Sequence, residues 1–294
     1  MSAPPSAPQT AGLRGLAEVV TGSSRGLGRA FAEALAAAGA SLVVNGTDPQ
    51  ASESVATAIR ERGGTAIACP GSVADPGFCE RLVQACVAAY GGIGLLVNNA
   101  GITRDRSLMR MTAAEFDEVI AVHLRGTWAC SAAAARAMAS SGGVILNVTS
   151  GAGLFGTFGQ ANYAAAKAGI VGLTRVMDIE LRRYGIRVNA LAPVARTDMT
   201  AVFDHGAVTH ELEFPPPESV APVVVYLAGE ASRQLRGQVL SFDGTRLSVW
   251  SHPEAVSTWN RPGGWTVGAF GDVLTPDALE DTHPDHWGAG VLGG

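Results

Sequence analysis

Residues Ala17 to Gly39 read AEVVTGSSRGLGRAFAEALAAAG. A short apolar run, Ala17 to Thr21, passes straight into the turn Gly22-Ser23-Ser24-Arg25-Gly26-Leu27-Gly28 and then into an Ala-rich segment of helical period that Gly39 stops. Strand, glycine-rich turn and helix in that order build a cradle for a pyrophosphate. Glycine allows the tight turn and close backbone approach, while the helix N-terminus offers unpaired N–H groups and a positive dipole end. Three glycines in a turn are a common loop feature taken alone; their place between a strand and a helix gives the functional reading its weight.

The same alternation continues downstream. Ser41 to Asn45 is a second strand, and Asp48-Pro49 reads as an N-cap with Pro at the first helical position, predicting a helix to about Arg62. A strand at Ala66 to Cys69, a helix from about Gly77 to Tyr90 and a strand at Ile93 to Val97 follow. This spacing predicts a doubly wound α/β fold, a parallel sheet with helices on both faces. The fourth strand ends in Asn98-Asn99-Ala100-Gly101, at the carboxyl end where an open α/β sheet has its ligand crevice. Thr112-Ala113-Ala114-Glu115 is a capping box, predicting one long helix to about Ser140 that carries His123 and Trp128. After the strand Val144 to Val148 and a long helix over about Ala161 to Tyr184, the strand Ile186 to Leu191 ends at Ala192-Pro193. Residues 194 to 216 read as irregular and hold Thr197, Asp198, Met199, His205 and His210; loops that long are usually functional, often lids. A helix over about Glu218 to Gly229 and a last strand, Gln238 to Phe242, closed by Asp243-Gly244, complete the pattern.

Length and composition bound the rest. With 294 residues, 47% of them hydrophobic, the chain fits one large α/β domain, taken as residues 13–244, with appendages. Residues 1–12 form a Pro/Ala/Ser tail expected to be disordered. Residues 245–294 carry Trp250, Trp259, Trp265, Trp287 and Phe270, too aromatic for a solvated tail, and are expected to pack on the domain or on a neighbouring subunit. A net charge of −5 without a basic stripe sets nucleic acid aside. The N-terminus lacks a basic start and apolar core, and no run of about 18 apolar residues occurs, so a soluble cytoplasmic protein is expected. Cys69, Cys79, Cys86 and Cys130 lack metal-ligand spacing and read as buried free thiols of a reducing compartment. His283 and His286 lie in a Pro-interrupted polar segment with no third ligand in view, so no metal is assigned.

The chemistry concentrates in Asn147 to Lys167, NVTSGAGLFGTFGQANYAAAK. Ser150 follows a strand end, and Tyr163 and Lys167 stand one helical turn apart, so both reach one ligand from one face. A Lys cation beside a phenol favours its ionised form, which lowers the expected pKa of Tyr163 and suits it to general acid/base work near neutral pH. An isolated Tyr-x-x-x-Lys is ordinarily an exposed helix face; the glycine-rich turn and Asn98 to Gly101 upstream turn the reading toward catalysis.

TGSSRGLG at Thr21 to Gly28, NNAG at Asn98 to Gly101, and Ser150, Tyr163 and Lys167 in that order resemble the short-chain dehydrogenase/reductase family over about Leu16 to Gly244. The resemblance implies a Rossmann-like fold and hydride transfer between a nicotinamide cofactor and a ketone or secondary alcohol. It gives Tyr163 the acid/base role and Ser150 the substrate oxygen, while Lys167 binds the nicotinamide ribose. It places cofactor contacts at Gly22, Ser24, Arg25, Gly26, Leu27, Gly28, Asn45, Gly46, Thr47, Ser72, Val73, Asn99, Ala100, Gly101, Pro193, Val194 and Thr197, besides Tyr163 and Lys167. Many members carry an Asn where this chain has His123. VHLRG at Val122 to Gly126, GITRDRS at Gly101 to Ser107 and FGQANYAAAK at Phe158 to Lys167 resemble the (3R)-hydroxyacyl-CoA dehydrogenase branch. Supporting roles follow for His123 and Gln160; whether His123 joins a proton relay or is a buried His satisfied by backbone carbonyls stays open.

The resemblance also bears on cofactor and substrate. NAD-preferring relatives have an acidic residue where this chain has Gly46, and Arg25, Asn45 and Thr47 are suited to a 2′-phosphate. NADPH is therefore expected over NADH, with Asp48 either capping its helix or reaching the ribose. The expected substrate is a 3-oxoacyl thioester on coenzyme A or a carrier protein. A cyclic or polyketide ketone is the alternative, and a non-catalytic cofactor-binding scaffold the alternative of another class. Relatives are usually tetramers or dimers built through the two long helices, so a homo-oligomer is expected.

Overall fold

A computed structural model describes residues 12–196, 214–250, 252–255 and 257–275. The chain divides into two units, Met1–Trp250 and Ser251–Gly294. In the first unit, strands β1 (Ala17–Val20), β2 (Ser41–Val44), β3 (Thr65–Ala68), β4 (Leu95–Asn98), β5 (Gly143–Val148), β6 (Ile186–Pro193), β7 (Val239–Phe242) and β8 (Leu247–Trp250) form one sheet. Their order is β3-β2-β1-β4-β5-β6-β7-β8, parallel except for β8, which runs antiparallel to β7. Successive connections leave β1 in opposite directions, to β2 on one side and ultimately to β4 on the other. That reversal opens a crevice at the strands' carboxyl ends.

The helices are α1 (Gly26–Ala37), α2 (Pro49–Glu61), α3 (Pro76–Tyr90), α4 (Ala113–Ile120), α5 (Gly126–Met138), α6 (Ala152–Phe155), α7 (Ala161–Leu181), α8 (Pro217–Ala228) and, in the second unit, α9 (Val267–Gly271). Strand side chains alternate between faces, and both faces are apolar. Val20, Leu42, Val44, Leu95 and Val97 meet Phe31 and Leu35 of α1, Ile59 of α2 and Val224 of α8. Val19, Val43, Leu96 and Ile145 meet Leu82 of α3, Met138 of α5 and Met177 of α7. Each such fully buried aliphatic side chain contributes about 1.5–3 kcal/mol.

The helix starts follow the sequence signals. Asp48 accepts hydrogen bonds from the backbone N–H groups of Gln50 (2.8 Å) and Ala51 (3.2 Å), so it caps α2. Thr112 and Glu115 make both halves of the capping box. The predicted helix to Ser140 is not continuous: a π-helical turn, Ala121–Arg125, separates α4 from α5 and carries the buried His123. Such a turn inserts an extra residue into the helical ladder, a distortion found mostly at functional sites. The short α6 and the edge strand β8 were not foreseen, and β6 runs two residues beyond the expected Leu191.

The extension thus begins as sheet. Asp243 accepts from the N–H groups of Thr245 (2.9 Å) and Arg246 (2.6 Å), turning the chain into β8, and the Trp250 indole donates to Ser241 at 3.1 Å. Within the second unit Trp265 stacks on Phe270, centroids 5.2 Å apart. The expected tail, except Gly12, and Trp287, His283 and His286 lie outside the described residues, as do Thr197, Asp198, Met199, His205 and His210. Arg196 N–H donates to Pro215 O at 2.8 Å, joining the two ends of that segment.

Glu18 breaks the apolar pattern of β1. It is fully buried beside Leu42 and Leu95, and neither carboxyl oxygen has a partner among the described residues. Burial pushes its carboxyl well above the usual range. All four cysteines are free, with Cys79, Cys86 and Cys130 buried and Cys69 partly so. Among the described residues no helix is long and apolar enough to cross a membrane, and no His/Cys/Asp/Glu cluster suits a metal ion.

Candidate active site

The turn after β1 and the loop after β4 are interlocked. Thr21 Oγ1 accepts from the N–H groups of Asn99 (2.9 Å) and Ala100 (3.0 Å), while Asn99 Nδ2 donates to Thr21 O (3.0 Å) and Gly22 O (3.2 Å). Gly22 has φ +64°, and a Cβ there would stand 2.7 Å from Ala100 Cα. A Cβ on Gly28 would run into Gly22 O, whereas beside Gly26, with φ +54°, the space is open. At the start of α1, Arg25 makes no side-chain cap and the first turn holds no acidic residue. The helix end is thus open to an anion, and these residues fit a pyrophosphate group.

At the end of β2 the scaffold uses what was assigned to ligand binding. Asn45 is buried; its Oδ1 accepts from Gly22 N–H at 3.2 Å, and its Nδ2 donates to Cys69 O and Gly71 O, both at 3.1 Å. Its side chain therefore holds β1, β2 and the loop after β3 together instead of presenting a donor to a phosphate. A Cβ on Gly46 would stand 2.7 Å from Ser24 Cβ and 3.0 Å from Ser52 Oγ, so Ser24 fills the place of a longer side chain. Thr47 is exposed, and Asp48 is committed to its cap. Ser72 accepts from Ala74 N–H at 3.3 Å, and Val73 packs on Gly126, where a Cβ would come within 2.9 Å of it. Pro193 ends β6 and Val194 N–H donates to Phe242 O at 2.9 Å.

Buried polar groups tie β5 to α7. Asn147 Oδ1 accepts from Asn98 Nδ2 (2.9 Å), Asn147 Nδ2 donates to Thr174 Oγ1 (2.9 Å), and Thr149 Oγ1 donates to Lys167 O (2.9 Å). These bonds set Ser150 against the Tyr163 phenol. The sequence signal for them is polar Asn147 within the otherwise apolar β5 and Thr149 just after it. Lys167 is buried, donates from Nζ to Val148 O at 2.7 Å, and lies 5.4 Å from the Tyr163 ring centroid.

Burial governs the charges here. It pushes the Tyr163 phenol above its ordinary value; the hydrogen bond with Ser150 pulls the other way, and the Asp105 carboxylate adds to the rise. The expected depression by Lys167 is reversed, because desolvation of the phenolate outweighs the favourable contacts. Burial also draws the Lys167 ammonium down to about 7. His123 falls to about 3, first through burial and then through the Lys167 charge, and is neutral.

The π turn aims the His123 ring at the site. Nε2 lies 2.7 Å from Ile102 O and 3.0 Å from Ile102 N, while Nδ1 has no partner among the described residues. A Cβ on Gly101 would come within 3.1 Å of both ring nitrogens, so the glycine makes room for the imidazole. Gln160 is turned toward a partner that sequence reasoning missed: its Nε2 donates to Asp105 Oδ2 at 2.8 Å. Arg106 N–H donates to Gly159 O (2.7 Å) and Asn162 Nδ2 to Arg104 O (3.0 Å), so residues 104–106 are clasped to the start of α7.

Comparison with known proteins agrees with this geometry. Residues 17–206 match the family model described as short chain dehydrogenase. The chain is 41% identical over 225 residues to the peroxisomal hydratase-dehydrogenase-epimerase of Saccharomyces cerevisiae, covering 73% of this chain but only 24% of that longer protein. It is 38% identical over 276 residues to hydroxyacyl-CoA dehydrogenase ChsB1 of Mycobacterium tuberculosis, covering 88% of this chain and 87% of the relative. A crystal structure of a short chain dehydrogenase from Mycobacterium avium superposes with a TM-score of 0.83 at 39% identity, covering 92% of this chain and 96% of the other. With the glycine-rich turn, the sheet order and Ser150, Tyr163 and Lys167 in one site, the chain belongs to the short-chain dehydrogenase family, oxidoreductases that use a nicotinamide cofactor.

Proposed function

We propose that this protein reduces the 3-oxo group of an acyl thioester, carried on coenzyme A or a carrier protein, to a 3-hydroxy group with NADPH. The observation that carries the reading is the Tyr163 phenol: half-buried, hydrogen-bonded to Ser150, one helical turn from Lys167, and pushed above its ordinary pKa by desolvation. A reductase needs an acid for the carbonyl oxygen, and a phenol with a raised pKa holds its proton at neutral pH. When bound, the nicotinamide supplies the hydride that the carbonyl carbon accepts. Ser150 donates a hydrogen bond to the carbonyl oxygen, and Tyr163 gives it a proton as negative charge builds there. Lys167, one turn along α7, holds the nicotinamide ribose and favours the phenolate left after proton transfer. His123, through its ring contact with Tyr163, and Gln160, just before α7, support this group.

The turn Gly22 to Gly28 would hold the pyrophosphate, Ser72 and Val73 the adenine, and Asn99 to Gly101, Pro193 and Val194 the nicotinamide; Thr197, assigned to the same group by the resemblance, lies outside the described residues. The absence of a carboxylate at Gly46, with Asp48 already capping α2, supports NADPH; Arg25 and Thr47 are the side chains assigned to its 2′-phosphate. The thioester is supported by the relative named for hydroxyacyl-CoA and by the GITRDRS and VHLRG stretches. Exposed Trp128 on α5 and Val176 and Ile179 on α7 support a dimer or tetramer, and free thiols suit the cytoplasm. Incubation with NADPH and a 3-oxoacyl-CoA, in parallel with a panel of cyclic ketones, tests the reading by loss of reduced cofactor. Turnover should be fastest on the thioester; faster turnover on a cyclic ketone, or with NADH, would contradict it.

A further inference from the structure

Between β4 and α4 three charged residues stand in a row, and their partners differ. Arg104 forms a two-bond pair with Glu118, both bonds 2.8 Å, and Arg106 pairs with Glu115 at 2.8 Å. Asp105, between them, has no cation among the described residues. Among the described residues its Oδ2 accepts from Gln160 Nε2 at 2.8 Å, and Gln160 is the buried residue that precedes α7, three positions before Tyr163. The backbone bond from Arg106 N–H to Gly159 O fixes the same juncture. A neutral amide thus holds a carboxylate with no ion-pair partner among the described residues at the start of α7, beside the residue three positions before Tyr163.

We propose that Asp105 is a specificity-determining residue that makes the site select uncharged 3-oxo esters and thioesters over free 3-oxo acids. The inference rests on the proposed 3-oxo reduction and adds to it the charge rule for the substrate. In a free 3-oxo acid the carboxylate stands two carbons from the reacting carbonyl, so carbonyl binding at Ser150 and Tyr163 brings two anions together. A thioester has the same carbon skeleton and no charge. Asp105 touches neither the reacting atoms nor the cofactor cradle; it acts by repulsion, which specificity uses as readily as attraction.

The test compares 3-oxobutanoyl-N-acetylcysteamine thioester with 3-oxobutanoate, at saturating NADPH, in the wild type and in Asp105→Asn. The Asn carbonyl still accepts from Gln160, so the clasp is kept. The wild type should favour the thioester, and Asp105→Asn should lower the thioester-to-acid ratio of kcat/KM by about tenfold, chiefly by raising turnover of the acid. Asp105→Glu should restore discrimination, and added salt should weaken it in the wild type because Asp105 is exposed. A ratio unchanged by Asp105→Asn, or a wild type that reduces the acid as well as the thioester, would overturn the charge rule while leaving the reductase reading standing. Turnover of neither compound nor of longer 3-oxoacyl thioesters would instead sink the reductase reading, and the charge rule with it.

Discussion

The ring of His123 meets the ring of Tyr163 edge to face, with centroids 5.1 Å apart and planes at 87°. The contact depends on the π turn, which directs the imidazole inward, and on Gly101, whose missing side chain leaves it room. Being neutral, the ring orients the phenol without competing for its proton. His123→Ala should therefore lower kcat by about 10²-fold, the scale of a small misplacement at a reacting centre, with cofactor Kd nearly unchanged. His123→Asn retains a donor and an acceptor for Ile102 and should keep activity within about tenfold of wild type. Steady-state kinetics with cofactor titrations check this; an alanine variant of full kcat would remove His123 from the site.

Direction and pH should be linked through Tyr163. Reduction uses the protonated phenol, so its rate should hold across neutrality and fall as pH rises through the elevated pKa. Oxidation uses the phenolate and should climb over the same alkaline range. Profiles of kcat/KM in both directions check the sign; an oxidation rate already at its plateau at pH 7 would mean that the phenol is not raised.

Cofactor choice should resist a single substitution. Gly46→Asp adds the carboxylate of NAD-preferring relatives, but Ser24 and Ser52 crowd its Cβ. Gly46→Asp alone should weaken both cofactors, while Gly46→Asp with Ser24→Gly should raise the NADH-to-NADPH ratio of kcat/KM by about tenfold or more. Arg25→Ala should weaken NADPH selectively. Competition titrations of both cofactors against each variant would show otherwise if the single and double variants behaved alike.

What the sequence made legible was whatever local periodicity and spacing encode. The Ala17 to Gly39 unit, the Asp48 cap and the Thr112–Glu115 box were each readable because neighbours a few positions apart create them. The π turn was not, since no residue of Ala121–Arg125 announces it; the extra residue is stabilised by distant contacts at Ile102 and Gly101. Asn45 looked like a ligand donor because its bonds to Cys69 and Gly71 lie more than twenty residues away. Tyr163 was given the wrong shift because adjacency to Lys167 is visible in a sequence and the depth of burial is not. Strand β8 was hidden by its place in a segment rich in Trp and Gly.

Glu18 should cost stability in a pH-dependent way. Its folded pKa lies above the unfolded value, so the folded state binds the extra proton, and stability is highest below the unfolded pKa and declines as pH rises toward the folded one. Glu18→Leu should stabilise the fold by about 1–3 kcal/mol, the cost of an unsatisfied buried group, or several degrees in Tm. The gain should be larger at pH 8 than at pH 5. Thermal unfolding at the two pH values checks it, and equal or reversed gains would mean that Glu18 has a partner after all.

The central claim is that Tyr163 is the proton donor of a carbonyl reduction. The most direct measurement is the single-turnover rate of NADPH oxidation on a 3-oxoacyl thioester in wild type and Tyr163→Phe, with NADPH affinity determined for both. Removing only the hydroxyl should slow the step by about 10²- to 10⁴-fold or more while NADPH affinity changes little. A phenylalanine variant that reduces the thioester at close to the wild-type rate would contradict the account.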